Sequence, residues 1–182
     1  MKMDQVAGSK NDEFYTPLYA VKPIFKYLKP KSVIWCPFDT EDSYFVKWGE
    51  RMGHKVLHSH INEGKDFFRI NPKKDKINYV ISNPPYSKRT EVLKRLFEIG
   101  IPFAMLLGVV GIFESQDRFE MFRDNDFEVM YFNKRVSFFK DYQEEKPELN
   151  PPFSTAYFCH HILPQQILFE EIDKKDLKIK EE

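Results

Sequence analysis

Residues 77–87 read INYVISNPPYS. An apolar run of strand composition, INYVIS (77–82), passes directly into Asn83-Pro84-Pro85-Tyr86, and KRTEVLKRLFEIG (88–100) follows. In that segment Val92, Leu93, Leu96 and Phe97 recur on one helical face and Gly100 closes it, so the spacing predicts a helix. IPFAMLLGVV (101–110) is then a second buried run. Strand, rigid turn, helix and strand in that order describe a βαβ unit. Working outward from it, the whole chain takes on the same alternation.

Upstream, Thr16 as N-cap and Pro17 at the first helical position open a helix carrying Leu18, Val21, Phe25 and Leu28, with Pro23 expected to kink or divide it and Pro30 at its end. SVIWC (32–36) reads as a strand, and the helix after it starts at Ser43 and ends at Gly53. KVLHSHI (55–61) is a further strand and DFFRI (66–70) a short stretch leading out of a turn. Downstream, ESQDRFEMFRDN reads as a helix, FEVMYF (127–132) as a strand, and STAYFCHHIL (154–163) as a final β-rich run after a polar connection. The last two strands have no helical pattern between them and are expected to pair antiparallel at one edge. The fold class is α/β: a Rossmann-like sheet, mostly parallel with an antiparallel edge strand, and helices on both faces. One domain over 1–182 is expected, with its core at about 12–163 and a charged tail over 170–182, read as frayed or as a solvated helix.

Composition narrows the partners. Lys and Arg number 28, Asp and Glu 28, so the net charge is zero and any nucleic-acid contact depends on local basic patches. Hydrophobic residues make up 42% and aromatics 16%, which fits a packed domain rather than a disordered chain. Cys36 and Cys159 sit in separate apolar runs and read as free buried thiols of a reducing compartment. The N-terminal MKMDQVAGSKNDEF lacks an apolar signal core, and no run approaches a membrane span. A cytoplasmic protein with no membrane association is expected.

A near-copy of the turn, NPPFS, occurs at 150–154. In an open α/β sheet, ligands bind beyond the carboxyl ends of the strands. Asn83 stands there; Asn150 follows a charged loop and precedes a strand, so it reads as a simple turn. At the first copy the prolines hold the backbone extended, and Asn83 Oδ1 and the Pro84 carbonyl can both accept hydrogen bonds from an NH₂ while Tyr86 offers a flat face. A planar group bearing an exocyclic amine suits such a turn.

Asn83, Pro84, Pro85 and Tyr86, placed after a strand and before a helix, resemble the (D/N/S)-P-P-(Y/F/W) motif of S-adenosylmethionine-dependent adenine-N6 DNA methyltransferases, in a compact form frequent among bacteriophages. The resemblance implies that the cofactor is S-adenosylmethionine and the partner DNA, with RNA or a protein amide as alternative substrates. It also implies that the segment with Tyr15, Thr16 and Pro17 lies over the cofactor, that Cys36, Pro37, Phe38 and Asp39 form the cofactor loop, and that Asp66 and Phe67 neighbour its adenine. Two departures bear on this. The family loop is commonly D-P-F-x-G-x-G, whereas here Cys36 replaces the acid and both glycines are gone. Asp39, Glu41 or Asp42 either substitute electrostatically or begin a helix. At the place of the ribose-binding acid stand Ser59 and His60, so either Glu63 takes that role or the pocket has changed.

His58 and His60, expected on one strand face, read as a structural pair rather than metal ligands, and His160 and His161 are expected on opposite faces. Lys88 and Arg89, at the mouth of the turn, and Lys134 and Arg135 are the expected phosphate contacts, whereas Lys94 and Arg95 read as a solvated helix face. No separate target-recognition domain is expected. The loop 136–153 is the spare segment that could read a base sequence, and a protein partner supplying specificity fits this economy. A catalytically silent relative that binds another protein is the reading from a different functional class.

Overall fold

The computed structural model describes residues 14–180. The polar N-terminal stretch through Glu13, and the final two tail residues, lie outside them. The elements are α1 (Leu18–Phe25), β1 (Val33–Cys36), α2 (Tyr44–Arg51), β2 (Lys55–His58), β3 (Tyr79–Ser82), α3 (Arg89–Ile99), β4 (Phe103–Gly108), α4 (Gln116–Asp124), β5 (Glu128–Phe132), β6 (Thr155–His160) and β7 (Ile167–Glu170). They build a seven-stranded sheet of order β2-β1-β3-β4-β6-β5-β7. β2, β1, β3 and β4 are mutually parallel, β6 runs antiparallel to both β4 and β5, and β7 is parallel to β5.

The period-two alternation of strand side chains divides the core in two. Ile34, Cys36, Tyr79, Ile81, Ala104, Leu106, Tyr157 and Cys159 face α1 and α2. Trp35, Val80, Phe103, Met105, Leu107 and Phe158 face α3 and α4, meeting Val92, Leu93, Leu96 and Phe122. Each fully buried Val, Leu, Ile, Phe or Met among them stabilises the fold by roughly 1.5–3 kcal/mol relative to exposure. Both cysteines are free and buried, as expected. Burial pushes both thiols well above their ordinary range.

The expected α/β class is what the structure shows, with local corrections. The antiparallel strand β6 sits inside the sheet, and the edge is β7, a strand the sequence pattern does not announce. The tail is neither frayed nor helical through residue 180: Ile172 is buried, Leu18 N–H donates to the Leu177 carbonyl at 3.1 Å, and Lys22 pairs with Asp176 at 2.5 Å. β2 ends at His58, and His60 instead caps a short 3₁₀ turn, accepting from Asn62 N–H, so the two histidines do not share a strand face. At the end of β6, His161 takes φ 56°, and its ring comes within 3.9 Å of His160 rather than facing away. Pro23 lies inside α1, which ends two residues later in looser turns. Ser43 caps α2 as expected, accepting from Phe45 N–H at 3.2 Å. No helix of the described residues is long and apolar enough to cross a membrane.

Candidate functional site

The carboxyl ends of β1, β2 and β3 lie side by side, because Cys36 is in register with His58 and Ile34 with Tyr79. The chain leaving each of them walls a cavity of about 470 Å³. Pro37, Phe38, Asp39, Thr40 and Ser43 come from beyond β1, His60 to Asn62 and Lys65 to Phe68 contribute a second wall, and Asn83, Pro85 and Lys88 a third. The roof is Phe14, Tyr15 and Thr16 with Tyr142 of the 136–150 strap. That roof is a built structure: Tyr15 and Phe139 exchange two backbone hydrogen bonds at 3.1 and 2.9 Å, and the Tyr142 hydroxyl donates to the Thr16 carbonyl at 3.3 Å. The strap is therefore part of the cavity's enclosure.

Asp39 is the buried charge of the site. It is 8% exposed, one carboxylate oxygen accepts from Ser43 Oγ at 2.5 Å, and the other accepts from Ser82 Oγ. Burial raises its carboxyl to about 6, against the opposing pull of those two hydroxyls and of His60 and His58. Glu41 and Asp42 remain exposed, Asp42 paired with Lys47 at 3.0 Å. The two readings of the acidic loop thus separate by residue: Asp39 faces the cavity, while Glu41 and Asp42 sit on the surface ahead of α2. No residue of 37–42 has a positive φ, so this path of the loop does not require the glycines it lacks.

Asp66 also lines the cavity, with Oδ1 capping Phe68 N–H at 3.0 Å. The buried Phe67 ring stands 4.9 Å from Phe38, giving an aromatic wall. Arg95, expected on a solvated face, holds this wall in place: its guanidinium lies over Phe67 and donates to the carbonyls of Phe67 and Ile70.

Asn83 presents its amide edge-on. Nδ2 donates to the Phe14 carbonyl at 2.9 Å and to Thr16 Oγ1 at 3.1 Å, while Oδ1 is buried and accepts no hydrogen bond among the described residues. This use of Thr16 corrects its expected role as helix cap: Pro17 stands at the cap position, with no side-chain bond. Pro84 and Tyr86 are buried behind the wall, Tyr86 4% exposed between Phe14 and Phe153, with ring centroids at 5.3 and 5.9 Å.

Other expected residues fall elsewhere. Cys36 and Pro17 are packed behind the cavity rather than in its wall. Glu63 is a correction: it turns outward to Lys65 at 3.5 Å and His58 at 3.9 Å, and His60 and Asn62 occupy the wall in its place. Arg89 is a second correction. It is 8% exposed and its guanidinium lies against Gly111, so it is part of the protein interior and not a phosphate contact. Lys88 is exposed at the cavity mouth as expected. Lys134 and Arg135 are exposed beyond the carboxyl end of β5, outside the cavity wall. Ser43, Ser82, His60 and Tyr142 were not foreseen as site residues. Ser82 carried a signal, a hydroxyl at the last position of an otherwise apolar strand; Tyr142 carried none.

No protein-family profile matches the chain. No curated protein matches it either. Among solved structures it is similar to a chain described as a modification subunit of a type I restriction enzyme from Vibrio vulnificus YJ016, with TM-score 0.49 and 10% identity, covering 93% of this chain. The present chain spans 49% of that chain's length.

Proposed function

We propose that this protein transfers a methyl group from S-adenosylmethionine to the exocyclic N6 amine of adenine in DNA. The observation that carries the reading is Asn83 Oδ1, a buried acceptor with no partner among the described residues, set in a cavity wall at the carboxyl end of a central strand. A buried acceptor left open costs stability unless a ligand donor completes it.

The remaining walls fit the cofactor. A cavity of about 470 Å³ lies within the usual range for small-molecule sites. Asp39 supplies a carboxylate for the cationic methionine end. Phe38 and Phe67 offer aromatic surface to adenine, with Asp66 as acceptor for its amine. His60 and Asn62 stand where a ribose-binding acid was expected. Bound there, S-adenosylmethionine supplies an electrophilic methyl on a sulfonium. Asn83 Oδ1 accepts from the target amine, holding its nitrogen lone pair toward the methyl donor and stabilising positive charge as it develops on nitrogen. A duplex adenine has to leave the stack to reach Asn83. Lys88, at the mouth, is the residue placed to meet the adjoining phosphate.

Calorimetric titration with S-adenosylmethionine tests the reading first. Micromolar binding that is lost in Asp39→Ala and Asp66→Ala is expected, followed by radiolabelled methyl transfer to unmethylated DNA that Asn83→Ala abolishes. Transfer to RNA or protein instead would reassign the substrate. A folded protein that binds no S-adenosylmethionine would refute the proposal and leave a binding protein without this chemistry.

A further inference from the structure

We infer that Thr16, acting with the Phe14 carbonyl, is a positioning residue that fixes the Asn83 amide with its nitrogen on the roof and its oxygen as the atom left unpaired; the catalytic consequence rests on the methyl-transfer reading above, the geometry does not. An asparagine amide has two nearly isosteric faces, one accepting and one donating, and rotation by half a turn exchanges them. At Asn83 that exchange would reverse the chemistry, because an NH₂ aimed at the target amine would meet another donor.

Two partners settle the orientation. The Phe14 carbonyl lies 2.9 Å from Nδ2, and a backbone carbonyl only accepts, so the reversed amide would set two acceptor oxygens against each other. Thr16 Oγ1, at 3.1 Å, also receives from Nδ2. A hydroxyl by itself would tolerate either face, so Phe14 sets the sense and Thr16 fixes the angle. With Nδ2 engaged on the roof, Oδ1 is the amide atom left open. Thr16 is 1% exposed, which makes its hydroxyl a partner of constant geometry.

The two partners are themselves held. Tyr15, between them, is paired with Phe139 of the strap through both its N–H and its carbonyl, and Tyr142 donates to the Thr16 carbonyl. The roof of the cavity and the orientation of the target-side acceptor are therefore one unit. Thr16 lines the cavity, so a cofactor contact is the competing role, and the two differ in what its replacement changes.

The test uses Thr16→Val, which keeps the shape and removes the acceptor, and Thr16→Ser, which restores it. The Asn83 side-chain NH₂ signals in ¹⁵N–¹H spectra are identified by their loss in Asn83→Ala. Their exchange with solvent is expected to quicken about tenfold in Thr16→Val, the scale of one lost hydrogen bond, and to return in Thr16→Ser. Unchanged exchange and shifts in Thr16→Val would overturn the inference. In methyl-transfer assays kcat should fall about tenfold while the S-adenosylmethionine Kd stays within about twofold. A tenfold weaker Kd with kcat preserved would make Thr16 a cofactor contact and overturn it equally. If the wild type transfers no methyl group while the NMR change appears, the fixed amide stands and the proposed activity falls. Should Thr16→Val not fold, Thr16→Ala is read in the same way.

Discussion

Asp39→Asn should make the protein more stable and, on the proposed function, a poorer binder of S-adenosylmethionine. The carboxyl sits at about 6 in the fold against an ordinary 3.8, with burial as the principal cause. Because the folded value is raised, the favourable contribution belongs to the protonated form. It is fully present below pH 4 and is lost as pH rises through 6. Above that, the buried carboxylate disfavours folding by about 3 kcal/mol, since each unit of difference corresponds to about 1.4 kcal/mol. Asparagine keeps the shape, leaves one oxygen to accept from Ser43 or Ser82, and carries no charge to desolvate; the other hydroxyl turns to accept from the new NH₂. Part of the gain is offset by that rearrangement, which leaves an expected gain of about 1–3 kcal/mol at pH 8, or about 2–4 °C in Tm per kcal/mol for a chain of this size.

The measurement is thermal unfolding of wild type and variant across pH 5 to 8, paired with calorimetric titration of S-adenosylmethionine at pH 8. The variant should melt several degrees higher at pH 8, keep only about half of that advantage at pH 5, and bind at least about tenfold more weakly, as expected for a lost charge-assisted contact. Equal stability at pH 8, or a difference independent of pH, would refute the assignment of Asp39 as the group held ionised at the expense of the fold. Higher stability with undiminished affinity would remove Asp39 from the cofactor site while leaving the electrostatic argument intact.

Other perturbations read other parts of the structure. Glu128, 9% exposed, accepts from the backbone N–H groups of His161, Ile162 and Leu163 at 3.0, 2.7 and 2.8 Å, so Glu128→Ala should cost about 2–4 kcal/mol in urea unfolding and Glu128→Gln clearly less. A Cβ at Gly49 would stand 2.7 Å from Val56 and 3.3 Å from Phe25, so Gly49→Ala should destabilise by about 1–3 kcal/mol despite its better helix propensity, again by urea midpoint. Lys88→Ala should weaken DNA binding and reduce its log–log salt slope by about 1 with Tm unchanged, whereas Arg89→Ala should lower Tm; the reverse pattern in fluorescence-anisotropy titrations would contradict the placement of these two residues.

The βαβ alternation was legible because each strand packs on both faces and each helix carries one apolar stripe, and both periods survive in the sequence. β7 was not, because ILFE is four residues long and its partner, β5, lies 35 or more positions upstream; its one charge, Glu170, is accommodated only by Lys26 and Tyr27 of a distant helix end. Among the site residues, Asp39 and Asn83 were legible by position after a strand. Tyr142 was invisible, since nothing local marks one tyrosine of a polar strap as a cavity wall. Arg89 was misread although the signal existed. It stands three, four and seven residues before Val92, Leu93 and Leu96, on the apolar stripe itself, and periodicity should have outweighed its charge. Glu63 shows the opposite case: it is near in sequence, but the short turn Ile61–Glu63 leaves it outside the cavity wall.

The two pentapeptides show why a motif needs its setting. In NPPYS the asparagine follows β3 and lines the cavity, its NH₂ is engaged by the roof, and its buried oxygen has no partner among the described residues. In NPPFS both ends of the Asn150 amide are committed within the strap, Oδ1 accepting from Ser137 Oγ at 2.6 Å and Nδ2 donating to the Glu148 carbonyl at 3.1 Å. The second copy is still not idle. Its Phe153, 6% exposed, packs on Tyr86, so the aromatic residue of the structural turn backs the aromatic residue of the proposed catalytic one. Phe153→Ala would open space beside Tyr86, and a ring freed there has room to leave its place against Phe14. The variant should therefore lose stability and, in addition, transfer methyl groups with altered kcat at unchanged cofactor affinity. A change in stability alone would confine Phe153 to packing and show that Tyr86 does not depend on this contact for its place in the turn.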